Sequence, residues 1–307
     1  MSSLKDSVAS ELSELRNMVL GTQIFLGFQY EALFMPRFEL AAARGSDLYL
    51  WGFAALVITL ICLIAPTSHH RLAEHGNATT AQSRFAGRCL CAGALMFALG
   101  LGANVGFALG VEISTPRIFA IVTTIAAIAA WFVLEFAMRR HEPQPERADQ
   151  RLSIKETLSE LMSESRIVLP GVQALLGFQL AAYLSDGFHH LPQAAQSVHH
   201  AALGFLLASM ILLMAPAPFH RIAEHGRATR RAETVGVWMV MLGLSLLALA
   251  LSCDLYVAID AATQDGQAAG LGAAGALLAA LAIWFVYPLL KRAMSHGAQS
   301  DETAAQS

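Results

Sequence analysis

The sequence contains one histidine- and glutamate-bearing motif twice, 150 residues apart. HRLAEHG begins at His70 and HRIAEHG begins at His220. On a helix, residues four apart share a face, so His70 can meet Glu74. Imidazole and carboxylate groups together can bind a divalent cation or titrate near neutral pH. The motif predicts a cytoplasmic sensor or ligand cluster made of His70, Arg71, Glu74, His75, His220, Arg221, Glu224 and His225.

The same motif also has a purely structural interpretation. Basic side chains stabilise the negative C-terminal end of a helix, and a following glycine often ends it, which here places the helix ends at Gly76 and Gly226. The H-x3-E-H spacing is not the HExxH of zinc peptidases, so no enzyme, cofactor or metal ligand is predicted. His69 aligns with Phe219 and receives no role, and the remaining histidines fall at segment boundaries or in loops.

An acidic residue lies inside an apolar segment near the end of the chain. Asp254 occurs in LALALSCDLYVAID, and the equivalent residue 150 positions earlier is Asn104. A charge near the membrane centre costs at least about 2.5 to 3.5 kcal/mol, so such residues are candidates for ion or proton pathways. The alternative is a position near the outer end of the helix, wetted by the membrane interface.

Four glutamines occupy the first apolar segment of each half. Gln23 and Gln29 align with Gln173 and Gln179. An amide in hydrocarbon usually bonds to a neighbouring helix and contributes about 1 kcal/mol. The glutamines therefore either support close helix packing or line a polar pathway together with Asp254 and Asn104.

The composition places all of these residues in a membrane protein. Of 307 residues, 55% are hydrophobic and 14% are charged, with a mean hydropathy of +0.51, whereas soluble domains carry about 25% charged residues. The net charge of -3 does not indicate a nucleic-acid partner. Because spans in lipid must satisfy their own backbone, the predicted fold class is all-α. Eight stretches are long enough to cross a bilayer, at residues 18–35, 47–66, 88–111, 118–138, 167–184, 199–217, 235–259 and 270–290.

The distribution of basic residues predicts the orientation. With the N-terminus inside, all but three of the twenty lysines and arginines lie in inner segments; the exceptions are Arg37, Arg44 and Arg117. This asymmetry follows the positive-inside rule. The first residues also lack the features of a cleavable signal peptide. We expect a multi-pass protein of the cytoplasmic membrane with both termini in the cytoplasm.

The two halves are copies of one unit. GTQIFLGFQ from Gly21 aligns with GVQALLGFQ from Gly171. The predicted organisation is a first four-helix repeat (1–138), a cytoplasmic linker (139–160), a second four-helix repeat (161–295) and a disordered tail (296–307). Because four spans return the chain to the same side, the repeats should be parallel and related by a pseudo-twofold axis along the membrane normal.

The repeated unit resembles an uncharacterised bacterial family of small four-span membrane proteins. The resemblance rests on LPGVQALLGFQ in a first helix, IAPTSHHR closing a second helix and a tryptophan-bearing fourth helix. Some members of that family are loosely labelled sodium:proton antiporters. The resemblance implies a dimeric ancestor and a location in the bacterial inner membrane, and it assigns no catalytic residue or substrate.

Two classes of function follow. The first is a small-cation or proton-coupled transporter or channel, which would move H+ or Na+ past Asp254, Asn104 and the glutamines. The second is a non-transporting scaffold, or a pH or lipid sensor, that acts through the HRxAEHG helix ends. The lipid bilayer is the expected partner, and self-association into a homo-oligomer is left open.

Overall fold

The computed structural model describes residues 4–77, 79–110, 112–133, 153–225 and 227–294. These residues form ten α-helices and two π-helical turns, with no strand among them, so the all-α prediction is confirmed. The first repeat contains α1 (Leu4–Ala32), α2 (Phe38–Leu72), α3 (Thr80–Leu109) and α4 (Pro116–Ile128) with a π turn at Ala129–Val133. The second contains α5 (Ile154–Tyr183), α6 (Asp186–His189), α7 (Gln193–Met214), α8 (Pro216–Ile222), α9 (Arg230–Thr263) and α10 (Gly266–Leu281) with a π turn at Ala282–Val286.

Five of the described helical segments are long and apolar enough to cross a membrane. They are Phe38–Leu72, Thr80–Leu109, Gln193–Ile222, Arg230–Thr263 and Gly266–Met294. Two shorter apolar helices, Pro116–Phe132 and Ile167–Tyr183, fall on two further predicted stretches. The helices are those of a membrane protein, although fewer than eight meet the length and composition of a full span.

Equivalent local signals start equivalent helices in the two repeats. Thr79 and Thr229 cap α3 and α9, because each side-chain oxygen accepts a hydrogen bond from a backbone N–H three residues later. The second helix differs between the repeats. Pro66 lies inside α2, whereas α7 ends at Met214 and α8 begins at Pro216. The second repeat also has Pro218 where the first has Ser68, so two backbone donors are missing there in place of one.

The HRxAEHG motif ends its helix earlier than predicted. α2 ends at Leu72 and α8 at Ile222, four residues before the glycines. The chain leaves the helix because His75 (φ 52°) and Gly76 (φ 76°) both adopt left-handed conformations, and the Gly76 N–H donates to the His70 carbonyl at 2.9 Å. His225 has the same left-handed φ of 52°.

Parts of the predicted linker and tail lie outside the described residues. These are residues 139–152 and 296–307, together with Gly226, the predicted end of the second motif. Residues 154–160, which the sequence analysis includes in the linker, form the first turns of α5. That helix begins with a capping box between Ser153 and Glu156.

The repeats pack against each other through unequal surfaces. α1 runs along α5, and α2 packs on α9 and on the π turn after α10. A twofold axis would repeat each contact in reverse. The reverse pairs, α7 with α3 and α7 with the π turn after α4, make no comparable contact within the described part of the chain. The contacts therefore depart from the predicted pseudo-twofold arrangement, and they bury α2 at the centre of the molecule.

Candidate functional site

Asp254 is buried at the contact between the repeats. Its side chain lies on α9 and is 2% exposed. The Gln179 amide on α5 donates a hydrogen bond from Nε2 to Asp254 Oδ1 at 2.6 Å. The structure thus brings together two of the residues predicted for a polar pathway. The burial of Asp254 argues against the alternative of a wetted helix end.

Tyr30 and His199 form a second polar pair beside this carboxylate. The Tyr30 hydroxyl, from the first repeat, is hydrogen-bonded to His199 Nδ1 on α7 of the second. The two rings lie nearly parallel, with centroids 5.7 Å apart. The Tyr183 ring, one helical turn after Gln179 on α5, packs on His199 with centroids 4.8 Å apart, which places the pair near the hydrogen bond between Gln179 and Asp254. Both partners of the pair are fully buried among aromatic rings.

His199 is the residue that the sequence analysis missed. We expected each histidine that is not part of the two motifs to lie at a segment boundary or in a loop. His199 instead lies in the second turn of α7 and is fully buried. The alignment of the two repeats could have identified this residue. His199 is equivalent to Tyr49, and the replacement of a tyrosine by a histidine in an apolar segment indicates that the two copies differ in chemistry at this position.

The equivalent site in the first repeat is uncharged, and its polar side chains bond to one another. Asn104 Nδ2 donates to Gln29 Oε1 at 2.9 Å, and Gln29 Nε2 donates to the Tyr49 carbonyl at 2.7 Å. The Tyr49 hydroxyl donates back to the Gln29 carbonyl at 3.1 Å. These bonds tie α1, α2 and α3 together, so this site fits the structural interpretation of the glutamines.

The second-repeat site keeps unused hydrogen-bonding capacity. Gln179 Oε1 and His199 Nε2 are buried and bond to no atom in the described part of the protein. A carboxyl group and an imidazole can each gain or lose a proton, whereas the first-repeat site holds two amides and the Tyr49 phenol, whose hydroxyl donates to the Gln29 carbonyl. Of the two described sites, the second therefore has the groups better suited to proton exchange.

Gln23 and Gln173 lie away from Asp254. Gln23 on α1 is fully buried, and its amide packs directly on Gly171 of α5. Gln173 is exposed on α5. Of the four glutamines, Gln179 alone is hydrogen-bonded to Asp254 in the described residues, and Gln23 and Gln173 have different surroundings in the two copies.

The first HRxAEHG copy is engaged by the second repeat. Lys291 Nζ donates to Glu74 Oε1 at 2.7 Å and lies 3.1 Å from His69 Nε2, while His69 Nδ1 lies 2.6 Å from Gln82 Oε1. His70 and Arg71 are buried, and Arg71 donates to the Thr157 carbonyl at 3.3 Å. His69 therefore has a clear structural partner set, although the sequence analysis gave it no role. His75 is exposed.

The second copy has different partners. Glu224 accepts a hydrogen bond from Thr229 at 2.9 Å and faces Arg231 at 3.8 Å. Arg221 and His225 are exposed, and His220 is half-buried. Among the described residues, no group of three or more His, Cys, Asp or Glu side chains has the geometry of a metal site. The described partners of the two copies thus differ, and a shared cluster of both copies stays a prediction.

The fold and the buried site define an all-helical membrane protein built from two copies of one unit. The model of the Family of unknown function (DUF6328) matches residues 5–138 and again residues 141–288. The chain belongs to this family and contains it as a tandem duplication. No curated protein and no solved structure matches the chain.

Proposed function

We propose that this protein is a proton-coupled membrane transporter in which Asp254 is the proton-carrying group. The observation that supports this proposal is the buried Asp254 carboxylate at the contact between the repeats, beside the Tyr30–His199 pair. A buried ionisable group is costly in a membrane, and it is normally kept for function. A purely structural need is already met by Asn104 in the first repeat.

Each side chain of the site has a distinct role in this proposal. Asp254 takes up and releases the proton, and the Gln179 amide orients its carboxylate through the 2.6 Å hydrogen bond. Tyr30 and His199 pass the proton between the carboxylate and the rest of the repeat contact, since phenol and imidazole both donate and accept. Gln29 and Asn104 hold the equivalent helices of the first repeat in place.

The position of Asp254 along its helix determines the side from which it exchanges protons. Asp254 precedes the end of α9 at Thr263 by nine residues, which corresponds to about 14 Å at a rise of 1.5 Å per residue. With both termini in the cytoplasm, the site lies in the outer half of the membrane. Protons reach it over the shorter distance from the outer surface, and movement of one repeat against the other would open it to the inside.

A flux measurement in proteoliposomes tests this function. An imposed pH gradient should produce dye-detected proton movement in the wild type, and Asp254→Asn should reduce it at least about tenfold because the asparagine binds no proton. Asp260→Asn is the matched control, since Asp260 is a second buried aspartate on α9. Flux that is absent from the wild type under every gradient, or equal in the Asp254→Asn protein, would exclude the proposal.

A sensor function is the second candidate, and one observation favours it. The second HRIAEHG copy exposes Arg221 together with Ile222, an apolar side chain 77% exposed next to a cation. Such a pair suits the interface of an anionic membrane. Anionic lipid should then raise the thermal stability of the wild type in nanodiscs, and Arg221→Gln should remove that increase. Equal stabilisation in both proteins would argue against sensing at this end.

A further inference from the structure

One face of α1 provides much of the contact with the second repeat. This α1 contact face consists of Gln23, Gly27, Tyr30 and Phe34, at the spacing of a helix-packing stripe. Gln23 packs on Gly171, and Gly27 leaves no room for a Cβ beside the Phe178 ring. Tyr30 bonds to His199, and the Phe34 backbone accepts a hydrogen bond from Ser185 at 3.0 Å.

The equivalent face of α5 has no protein partner in the described part of the chain. This α5 free face consists of Gln173, Gly177, Leu180 and Leu184, each 150 positions after a member of the α1 contact face. All four residues are exposed, and Leu184 is 90% exposed. The second repeat therefore presents to its surroundings the surface that the first repeat uses to hold its neighbour.

The second helices of the two repeats show the same difference: a face that is buried in the first repeat is exposed in the second. Val57, Ile61 and Ile64 of α2 are buried, and the Trp284 indole of the second repeat donates a hydrogen bond to the Ile61 carbonyl at 2.8 Å. Their equivalents Leu207, Ile211 and Met214 on α7 are 45 to 58% exposed. Trp131, the equivalent of Trp284, is also partly exposed.

The second repeat packs on α1 of the first repeat through a surface whose equivalent in the first repeat is an open groove. The groove has a volume of about 480 Å³, and its lining includes Phe28, Gln29, Phe38 and Asn104. The equivalents of these residues in the second repeat are Phe178, Gln179, Phe188 and Asp254. Two of them contact the first repeat directly, since Phe178 packs on Gly27 of α1 and Phe188 packs on Phe34 just after α1. The open groove is thus the counterpart of a filled one.

We propose that the α5 free face binds this groove on a second copy of the chain, so that the molecules join head to tail. In that complex Leu180 would lie beside the uncharged Asn104, just as Tyr30 lies beside Asp254 within the chain. Gln173 would pack on Gly21, where an added Cβ meets nothing within 4 Å. The apolar and polar partners therefore match position by position.

A second copy fits these surfaces better than lipid does. An added Cβ meets nothing within 4 Å at Gly177 or at Gly21, so both surfaces leave room for another helix to approach closely, which small residues favour in membranes. Gly21 and Phe28 lie on a different side of α1 from Gln23 and Gly27, about 130° away at 100° per residue. One α1 helix can therefore contact its own α5 and that of a neighbour together. Repeated head-to-tail contacts form a ring where the rotation from copy to copy closes.

Cross-linking between two tagged chains tests the contact. In a background with Cys62, Cys89, Cys91 and Cys253 changed to alanine, one chain would carry Gly21→Cys and the other Gln173→Cys. After joint reconstitution in liposomes, oxidation should link the two tags. Leu278→Cys replaces Gln173→Cys in the control pair, because Leu278 is 66% exposed on α10 outside these faces. Links no more frequent than in the control pair would overturn the proposal.

Counting chains in the bilayer gives a second measurement. Single-molecule photobleaching of labelled protein should detect complexes of at least two chains. Gly177→Leu should weaken association about fivefold or more, the effect of losing about 1 kcal/mol of close helix packing. An added Cβ at Gly177 meets nothing within 4 Å inside the chain, whereas its equivalent Gly27 leaves no room for one beside Phe178. Leu278→Ala should leave association unchanged. A single chain at every density, or association unaffected by Gly177→Leu, would contradict the head-to-tail contact.

Discussion

At the scale of single residues, the two repeats differ by the direction of one hydrogen bond. In the first repeat, Asn104 Nδ2 donates to the Gln29 side chain. In the second, Gln179 Nε2 donates to Asp254 Oδ1. Replacing an amide nitrogen by a carboxylate oxygen reverses donor and acceptor while the glutamine keeps its place. The second site thereby acquires a group that can bind a proton.

The residue pair was predictable from the sequence, but its surroundings were not. Comparing equivalent positions identified Asp254 and Asn104 and suggested the glutamines as partners. The hydrogen bond between Tyr30 and His199 depends on how α1 of the first repeat packs against α7 of the second repeat. No local sequence pattern determines that packing. His199 lies near a helix start, where a sequence pattern alone indicates an interfacial side chain.

Tyr30→Phe tests the contact that crosses between the repeats. Removing the hydroxyl leaves His199 Nδ1 without its partner, so the free energy of unfolding in detergent should fall by about 1 to 3 kcal/mol. Tyr183→Phe is the control, because that ring also packs on His199 while its hydroxyl bonds to nothing in the described residues. Equal effects of the two changes would show that the hydroxyl contributes little.

At the scale of helices, the HRxAEHG motif illustrates the limit of reading one segment alone. Its glycine marks the turn that follows the helix, as Gly76 shows through its left-handed φ. The partner of Glu74 in the first copy is Lys291, which follows the π turn after α10 and lies 217 residues further along the chain. Nearly identical local sequences therefore reach different environments, whereas the repeat alone predicted a symmetric cluster.

Paired glutamate substitutions test this difference between the helix ends. Glu74→Gln should lower the free energy of unfolding by about 1 to 2 kcal/mol, because the short hydrogen bond from Lys291 loses the carboxylate charge of its acceptor in a largely buried site. Glu224→Gln should cost less than about 0.5 kcal/mol, since Arg231 is mostly exposed and lies 3.8 Å away. Chemical unfolding of both proteins measures the effects, and a larger loss for Glu224→Gln would contradict the assignment.

At the scale of the whole molecule, the duplication in the sequence predicted the repeated helical unit, but it did not predict how the two copies pack against each other. Equivalent helices contact each other in the same order inside each repeat, because the same sequence pattern builds both. The contact between the repeats depends on positions where the two copies have different residues, such as Tyr30 in the first repeat and its equivalent Leu180 in the second. These differences give the two copies different surfaces. The resulting contact is one-sided, and it buries Asp254 on the occupied side.

Infrared difference spectroscopy in bilayers tests most directly whether Asp254 carries a proton. On acidification the wild type should gain a protonated-carboxyl band that shifts in D₂O, and this band should be missing from Asp254→Asn. Asp260→Asn should retain the band. Spectra of the wild type and Asp254→Asn that change identically with pH would contradict a proton-carrying role for Asp254.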